Sequence, residues 1–391
     1  AATGLGGPPL ALGEEDWLQG VSQPAAPAPD DHTPAERVAD LRSRLADLTA
    51  RGLYPGGEAA YQATLARLDR LIAQAGAAPT RPRPAATADA ALQAGDCGGG
   101  VYSWNTSLHL LNSTLLYNLA SLTGDGYGGG VFVGQAPSGG VLIANNTLEG
   151  NIASAAVGAE GIGGGLYVIQ APGVVIKDNT FQENAGSSGG VVSIGVGGGL
   201  VVDTCPNATV RGNHVTRNTA NAGWETMRGL GGGAYLREVD DATVTDNVFQ
   251  ENLGVLYGGG GSGGLILVRS QDVLVADNTA TGNWGCVFQP DLTDVSGGGF
   301  SLHTVWAVTV TGNTLSDNVA CLSGPRAGNS FGGGVDAQLL FNSTIASNTI
   351  TGNVACQTGI GWGGGISIWA GEDSVVADNT LTDNAGSLSG L

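Results

Sequence analysis

The sequence predicts an all-β chain: a right-handed parallel β-helix of about nine coils, preceded by an N-terminal extended arm and an α-helical hairpin. Three observations predict it. A glycine triplet begins at Gly98, Gly128, Gly163, Gly197, Gly231, Ser262 (as Ser-Gly-Gly), Gly297, Gly332 and Gly363, at steps of 30–35 residues. A short apolar run follows each triplet. An Asn-x₄-Asn pair follows each run, its first Asn at Asn146, Asn179, Asn213, Asn247, Asn278, Asn313, Asn348 and Asn379, with Ser113 in that place in the first repeat. The second Asn of the pairs runs from Asn118 to Asn384. A fixed period of this size is the signature of a solenoid, whose units bury their apolar faces only against their neighbours.

One repeat can be read as one coil. Leu166-Tyr-Val-Ile is a first strand, Pro172-Gly173 a turn, Val174-Val-Ile-Lys a second strand, and Thr180-Phe181 a third, shorter one after the Asp178-Asn179 corner. Three strands and three corners per repeat are expected. The surplus after the second Asn, as in Ala153-Ser-Ala-Ala-Val-Gly-Ala-Glu, varies in sequence and length and is expected to be a loop projecting on one side. Glycine suits a corner that needs positive φ or leaves no room for a side chain. Asn tolerates the left-handed region, and its amide can bond the Asn one coil above and below. The eight Asn of the first position are therefore expected to form an internal ladder, and Leu148, Phe181, Val215, Phe249, Leu315, Ile350 and Leu381 an apolar column.

Ahead of the repeats lie three segments. Residues 1–33 are Ala/Pro-rich and read as an extended arm. Residues 34–75 read as a helical hairpin: Thr33 caps, Pro34 takes the first helical position, and Glu36 closes a capping box. Val38, Leu41, Leu45 and Leu48 form one apolar stripe and Tyr61, Leu65, Leu68 and Ile72 a second. Residues 76–96 are a linker, and 97–391 the β-helix. So small a hairpin must pack on something. It either caps the N-terminal end of the solenoid or docks on a neighbouring subunit.

Composition narrows the function classes. The net charge is −19 and Lys177 is the sole lysine, a balance that disfavours nucleic acid and anionic membrane. No apolar run is long enough to span a membrane. The start Ala1-Ala2-Thr3, without methionine, reads as a secreted form after removal of a signal peptide, located outside the cell or on its surface. Cys286, Cys321 and Cys356 each follow the second Asn of a pair by three residues, 35 residues apart, and should stack on successive coils. At a coil spacing of about 4.8 Å, either Cys286–Cys321 or Cys321–Cys356 can bridge, or the three form a column of buried thiols.

Candidate chemistry is sparse. Asp178, Asp246, Asp277 and Asp378 precede ladder Asn residues and read either as a weak Ca²⁺ stripe or as corner residues chosen for turn chemistry. Asp240-Asp241 sits at a turn, and His32, His109, His214 and His303 occupy different repeat positions. No cofactor and no catalytic residue is assigned. Trp224, Trp284 and Trp362 lie in or beside the variable segments, where they can hold sugar rings or close the segments over the scaffold. Sequons at Asn105, Asn112, Asn145, Asn207 and Asn342 are candidate glycosylation sites.

Phe181-Gln-Glu-Asn184 before Gly197-Gly-Gly-Leu200, and Phe249-Gln-Glu-Asn252 before Gly263-Gly-Leu-Ile266, carry a resemblance. The pattern resembles the repeats of polymorphic outer-membrane-protein-type adhesins, within the pectate-lyase-like right-handed β-helix superfamily. Leu, Val, Ile or Ala replaces the Phe in the other repeats. The resemblance implies a surface-exposed adhesive or structural role. The function expected from the sequence is an extracellular, non-enzymatic β-solenoid that polymerises head to tail into a filament or sheath. A monomeric adhesin binding glycan or a cell-surface protein through its loop side is the alternative, and a polysaccharide lyase or glycoside hydrolase the second.

Overall fold

A computed structural model describes residues 33–54, 57–76, 96–189, 193–223, 228–289, 294–324 and 329–388. The expected arm and linker, together with His32 and Trp224, lie outside the described residues. From Asp96 onward the chain winds into a parallel solenoid whose strands form five sheets of nine strands each. In chain order, the first sheet runs from Asp96–Cys97 to Ile360–Trp362, and the second from Val101–Trp104 to Ile366–Glu372. The third runs from Leu108–Leu111 to Val375–Ala377, the fourth from Thr114–Leu116 to Thr380–Thr382, and the fifth from Leu119–Ser121 to Ala385–Ser387. Pairing is parallel and in register, so that Leu166 sits between Val131 and Leu200.

Alternation within each strand sorts the side chains. Leu166 and Val168 point into the core with Ile143, Ile176, Phe181 and Val215, while Tyr167 joins a separate outer cluster. The column residues Leu148 to Ile350 are fully buried; Leu381, in the last described coil, is 47 % exposed.

The Asn residues knit the coils. Asn213 donates from its backbone N–H (3.0 Å) and from Nδ2 (2.9 Å) to Oδ1 of Asn247. Its Nδ2 also reaches the Ile176 and Arg211 carbonyls, and its own Oδ1 accepts from Asn179 N and Nδ2. Asn218 repeats the scheme with Asn252 and Asn184 in a second ladder. The left-handed residue is the one before the ladder Asn, a correction to the expectation that the Asn itself would adopt it: Asp178 has φ 55°, Asp246 57° and Glu183 54°. The ladder Asn turns its amide inward, and the preceding residue makes the corner.

The segment after the second Asn differs from expectation. It is not merely a loop: each excursion leaves along a strand of the fifth sheet and returns along one of the first, as in Ile152–Ser154 and Glu160–Ile162. Five short strands per coil replace the expected three. Small residues permit this. A Cβ at Gly161 or Gly195 would overlap the carbonyl oxygen of Gly186 or Ala220 on the facing strand, so the two sheets close on each other backbone to backbone as a thin fin.

The first glycine of each triplet makes the bend between the first and second sheets. Gly163 has φ 68°, and Ser262 adopts φ 34° in the one triplet without the glycine.

The hairpin forms as read. Helix α1 spans Pro34–Ala50 with the Thr33/Glu36 capping box, and α2 spans Gly57–Gly76. Its position corrects both expectations, since it caps no end and sits on its own solenoid. Leu41, Leu45, Leu48, Tyr54 and Leu68 pack against Leu253, Leu256, Trp284, Val287, Val319 and Val354 on the flank of the fifth sheet. Burying each leucine contributes roughly 1.5–3 kcal/mol. The site is chosen by size: the in-register positions of earlier coils are Leu119, Ile152, Ala185 and Thr219, of which the last two offer little apolar surface.

Candidate functional site

Because the glycine triplets bend the chain sharply, outward side chains of the first and second sheets converge along one face. Tyr102 and Trp104 lie there beside Phe132, with ring centroids 5.5 and 6.1 Å away and planes within 8° and 10° of parallel. Gly134 makes this possible, since a Cβ there would collide with the Trp104 ring. Tyr102 is 56 % and Trp104 45 % exposed. The aromatic cluster continues beneath the surface through the buried Tyr167, edge-on to Phe132 at 5.5 Å, and on to Tyr127, 6.1 Å from Tyr167.

A polar group follows on the next coils. Arg237 grips Asp203 through two parallel bonds, Nε to Oδ1 at 2.9 Å and Nη2 to Oδ2 at 2.7 Å. Tyr167 Oη lies 3.3 Å from Asp203 Oδ2, and Thr204 donates to Asp203 Oδ1 at 3.0 Å. Burial, then the Asp203 charge, pushes the Tyr167 hydroxyl far above its usual range, and burial pushes Tyr235 up to about 12. The hydrogen bonds that Arg237 donates to Asp203 hold it firmly charged. Glu160, whose N–H donates to Asp125 Oδ1 at 2.8 Å, has its carboxyl pKa raised by burial and then by the Asp125 charge. This arrangement offers flat apolar rings, hydroxyls and one fixed ion pair. The Asp203 carboxylate is fully engaged, which suits recognition better than proton transfer.

Farther along the face, Ser301 pairs in register with Asp336, and His303 with Gln338. Asp336 is fully buried; its Oδ2 accepts from Gln338 at 3.0 Å, while Oδ1 meets no close hydrogen-bond partner among the described residues. Burial raises its pKa to about 7, and burial lowers that of His303 to about 4. The two act in opposite directions. Asp336 removes stability as pH rises from its ordinary 3.8 through about 7, because the unfolded chain ionises first. His303 removes stability as pH falls from 6.5 through about 4. Asp336→Asn is therefore expected to stabilise the protein above pH 7 by as much as about 4 kcal/mol, and hardly at pH 4. Urea unfolding at the two pH values checks this; a gain independent of pH would contradict it.

The residues singled out from sequence fall elsewhere. Cys286, Cys321 and Cys356 are Cα partners on adjacent strands of the fifth sheet, fully buried in the fin, with Cys286 and Cys321 Sγ 3.0 Å apart. They continue a column of small residues, Ser154, Ser187, Asn221 and Val255. Asp178, Asp246, Asp277 and Asp378 all occupy left-handed corners, as does Asp241. The sequon residues Asn105, Asn112, Asn145, Asn207 and Asn342 are exposed corner residues with φ between 47° and 59°. His109 and His214 are exposed on separate sheets. Trp284 is covered by the hairpin, and Trp362 is 56 % exposed. Among the described residues no group of three or more His, Cys, Asp or Glu is placed to hold a metal ion. No helix among them is long and apolar enough to cross a membrane.

A family model for the right handed beta helix region matches residues 94–385. The chain belongs to this right-handed β-helix family. Among solved structures, the β-helix is similar to the A-module of the Azotobacter vinelandii mannuronan C-5 epimerase AlgE6, with 14 % identity over 73 % of this chain and 91 % of that one, at a TM-score of 0.23. It is also similar to ORF18 of Geobacillus virus E2, with 12 % identity over 73 % of this chain and 54 % of that one, at a TM-score of 0.18. No curated protein matches the β-helix sequence.

Sequence reasoning missed Tyr102, Trp104, Tyr167, Asp203 and Arg237. The signal was present: each is the second or fourth residue after a glycine triplet, so the outward positions of the second sheet can be read off in register.

Proposed function

We propose that this β-helix is a non-catalytic glycan-binding protein of the cell exterior, with the outer face of the first and second sheets as its binding surface. The observation that carries the reading is the half-exposed Tyr102 and Trp104, each ring stacked nearly parallel to Phe132, next to Tyr127 and Tyr167. Flat amphipathic rings with hydroxyls alongside suit the apolar face and polar rim of a sugar. Arg237, 40 % exposed and fixed by its two bonds to Asp203, keeps further N–H donors for sugar hydroxyl groups. An adhesive role agrees with the resemblance to adhesin repeats.

A second reading, end-to-end stacking into a filament, is favoured by the last described coil. Its inward residues Ile368 and Leu381 are 44 % and 47 % exposed. Any further coil, from a continuation of this chain or from a second copy, would cover them.

Affinity electrophoresis through gels containing xylan, mannan or polygalacturonate tests the first reading, with sedimentation velocity of the same sample testing the second. Retardation by at least one polymer, weakened about tenfold in Tyr102→Ala/Trp104→Ala with an unchanged melting temperature, is the expected result. No retardation by any polymer, or equal retardation of the variant, sinks the glycan reading, and cleavage of a polymer sinks its non-catalytic part. A concentration-independent monomer removes the filament.

A further inference from the structure

A cavity of about 330 Å³ lies where the hairpin meets the solenoid, lined by Arg67, Arg70, Leu71, Glu183, Arg217 and Glu251. Its two walls come from different periodicities. Arg67, Arg70 and Leu71 are three and four residues apart and share one face of α2. Glu183, Arg217 and Glu251 are the corner residues before the second Asn of three successive coils, and so stack in a column. Three guanidinium groups and two carboxylates converge there, a local charge of about +1 by side-chain inventory, in a chain whose net charge is −19.

Arg67 is the unusual member. It is 7 % exposed, and its guanidinium lies over the Trp284 ring, 3.5 Å from the centroid. It donates to the carbonyl oxygens of Gly282 and Asn252. Among the described residues it makes no ion pair, and burial lowers its pKa to about 9. Guanidinium has five N–H donors, of which these two bonds take two. The flanking pairs are unequal. Arg217 meets Glu183 at 2.9 Å, whereas Arg70 and Glu251 stand 3.7 Å apart. This buried cation hydrogen-bonds only to carbonyls while the Glu251 carboxylate acts on it without a direct bond, so with the loosely paired Arg70 beside it N–H donors remain for a compact anion.

We infer that this cavity binds an oxyanion, held between Arg67 and Arg70 with Arg217 at its mouth. The ligand class is a sulfate, a phosphate, or the carboxylate or sulfate ester of an acidic sugar. Glu251 is the internal competitor that the ligand displaces from Arg70. A bound anion joins the hairpin to the coil that carries Arg217, so binding stabilises the docked hairpin. The inference does not depend on the glycan-binding face, which lies on the first and second sheets.

The test uses the whole protein and two variants, Arg70→Ala and Glu251→Gln, both altered at partly exposed side chains. Sulfate binding is measured by calorimetry, and thermal unfolding is followed in sodium sulfate against sodium chloride at matched ionic strength. Sulfate stabilises proteins in general by exclusion from their surface, so the site-specific part is the difference between variants. The expected result is saturable binding in the native protein, weakened at least about tenfold in Arg70→Ala and strengthened in Glu251→Gln. Unsaturable stabilisation of equal size in all three proteins overturns the inference. So does weaker binding in Glu251→Gln, which would make Glu251 a purely structural partner. Oligogalacturonate and heparin fragments in place of sulfate separate the sources: tighter saturable binding of a fragment assigns the site to a sugar-borne anion, and preference for sulfate assigns it to the free ion.

Discussion

Gly195→Ala is expected to yield a chain that does not reach the native solenoid, or one destabilised by at least about 4 kcal/mol. The reason is steric. Gly195 lies in a first-sheet strand whose backbone faces the fifth sheet, and a methyl group there would overlap the carbonyl of Ala220 and crowd Asn221. Neither neighbour is the free end of a flexible side chain. Both are backbone, or near backbone, held by parallel ladders to the coils above and below. The fin would have to open, exposing Asn221 and its bonds to Ser193 and Arg228. Gly139→Ala is the control. That glycine has φ 66° but nothing within 4 Å of the added Cβ, so its cost is the left-handed penalty alone, about 1–2 kcal/mol. Soluble yield, circular dichroism and urea midpoints decide the matter; a Gly195→Ala protein with the native midpoint would mean that the two sheets do not touch.

Asn213→Ala is expected to cost about 3–5 kcal/mol. The amide occupies the centre of the first ladder. Removing it takes the acceptor from Asn179 N and Nδ2, and the Nδ2 donor from Asn247 Oδ1 and the Ile176 carbonyl. Each buried group left without a partner costs about 1–3 kcal/mol, and several are orphaned together. Alanine fills none of the space, and water has no route to the fully buried site. Because stability in a solenoid is transmitted between neighbouring units, the damage should broaden the unfolding transition as well as lower its midpoint. Asn145→Ala, one position before the neighbouring ladder residue Asn146, removes an exposed corner side chain with φ 57°. It should cost about 1 kcal/mol or less. Similar midpoints for Asn213→Ala and Asn145→Ala would contradict the ladder account.

Much of this architecture was legible because each device repeats. A glycine at Gly163 says little, but nine equivalent positions at a near-constant step, eight of them glycine, imply one backbone bend copied along an axis. The two Asn positions, the apolar column through Phe181 and Phe249, and the Thr33 capping box are local or periodic features, and both kinds show in a linear chain. The fin was less legible. Ala185-Gly186-Ser187 carries no strand signal by propensity, since Gly, Ala and Ser are weak strand formers. It becomes a strand because identical geometry in the adjacent coils offers it a ready ladder. The candidate binding face was missed for a similar reason. Asp203 and Arg237 are 34 residues apart, and their ion pair appears only once register places them on neighbouring strands.

The sequence by itself determined the period, the parallel stacking, the glycine bends, the Asn ladders and the helical hairpin. Each follows from residue type at a regular spacing. Only the tertiary structure decided where the hairpin lies, that the excursions close into a fin, and that Arg67 comes to rest on Trp284 beside Arg70 and Arg217. Those outcomes depend on contacts between segments as much as 303 residues apart. Such contacts are selected by shape and by the cost of leaving Leu41, Leu68 and Trp284 in water, and no local pattern along the chain encodes which surfaces will meet.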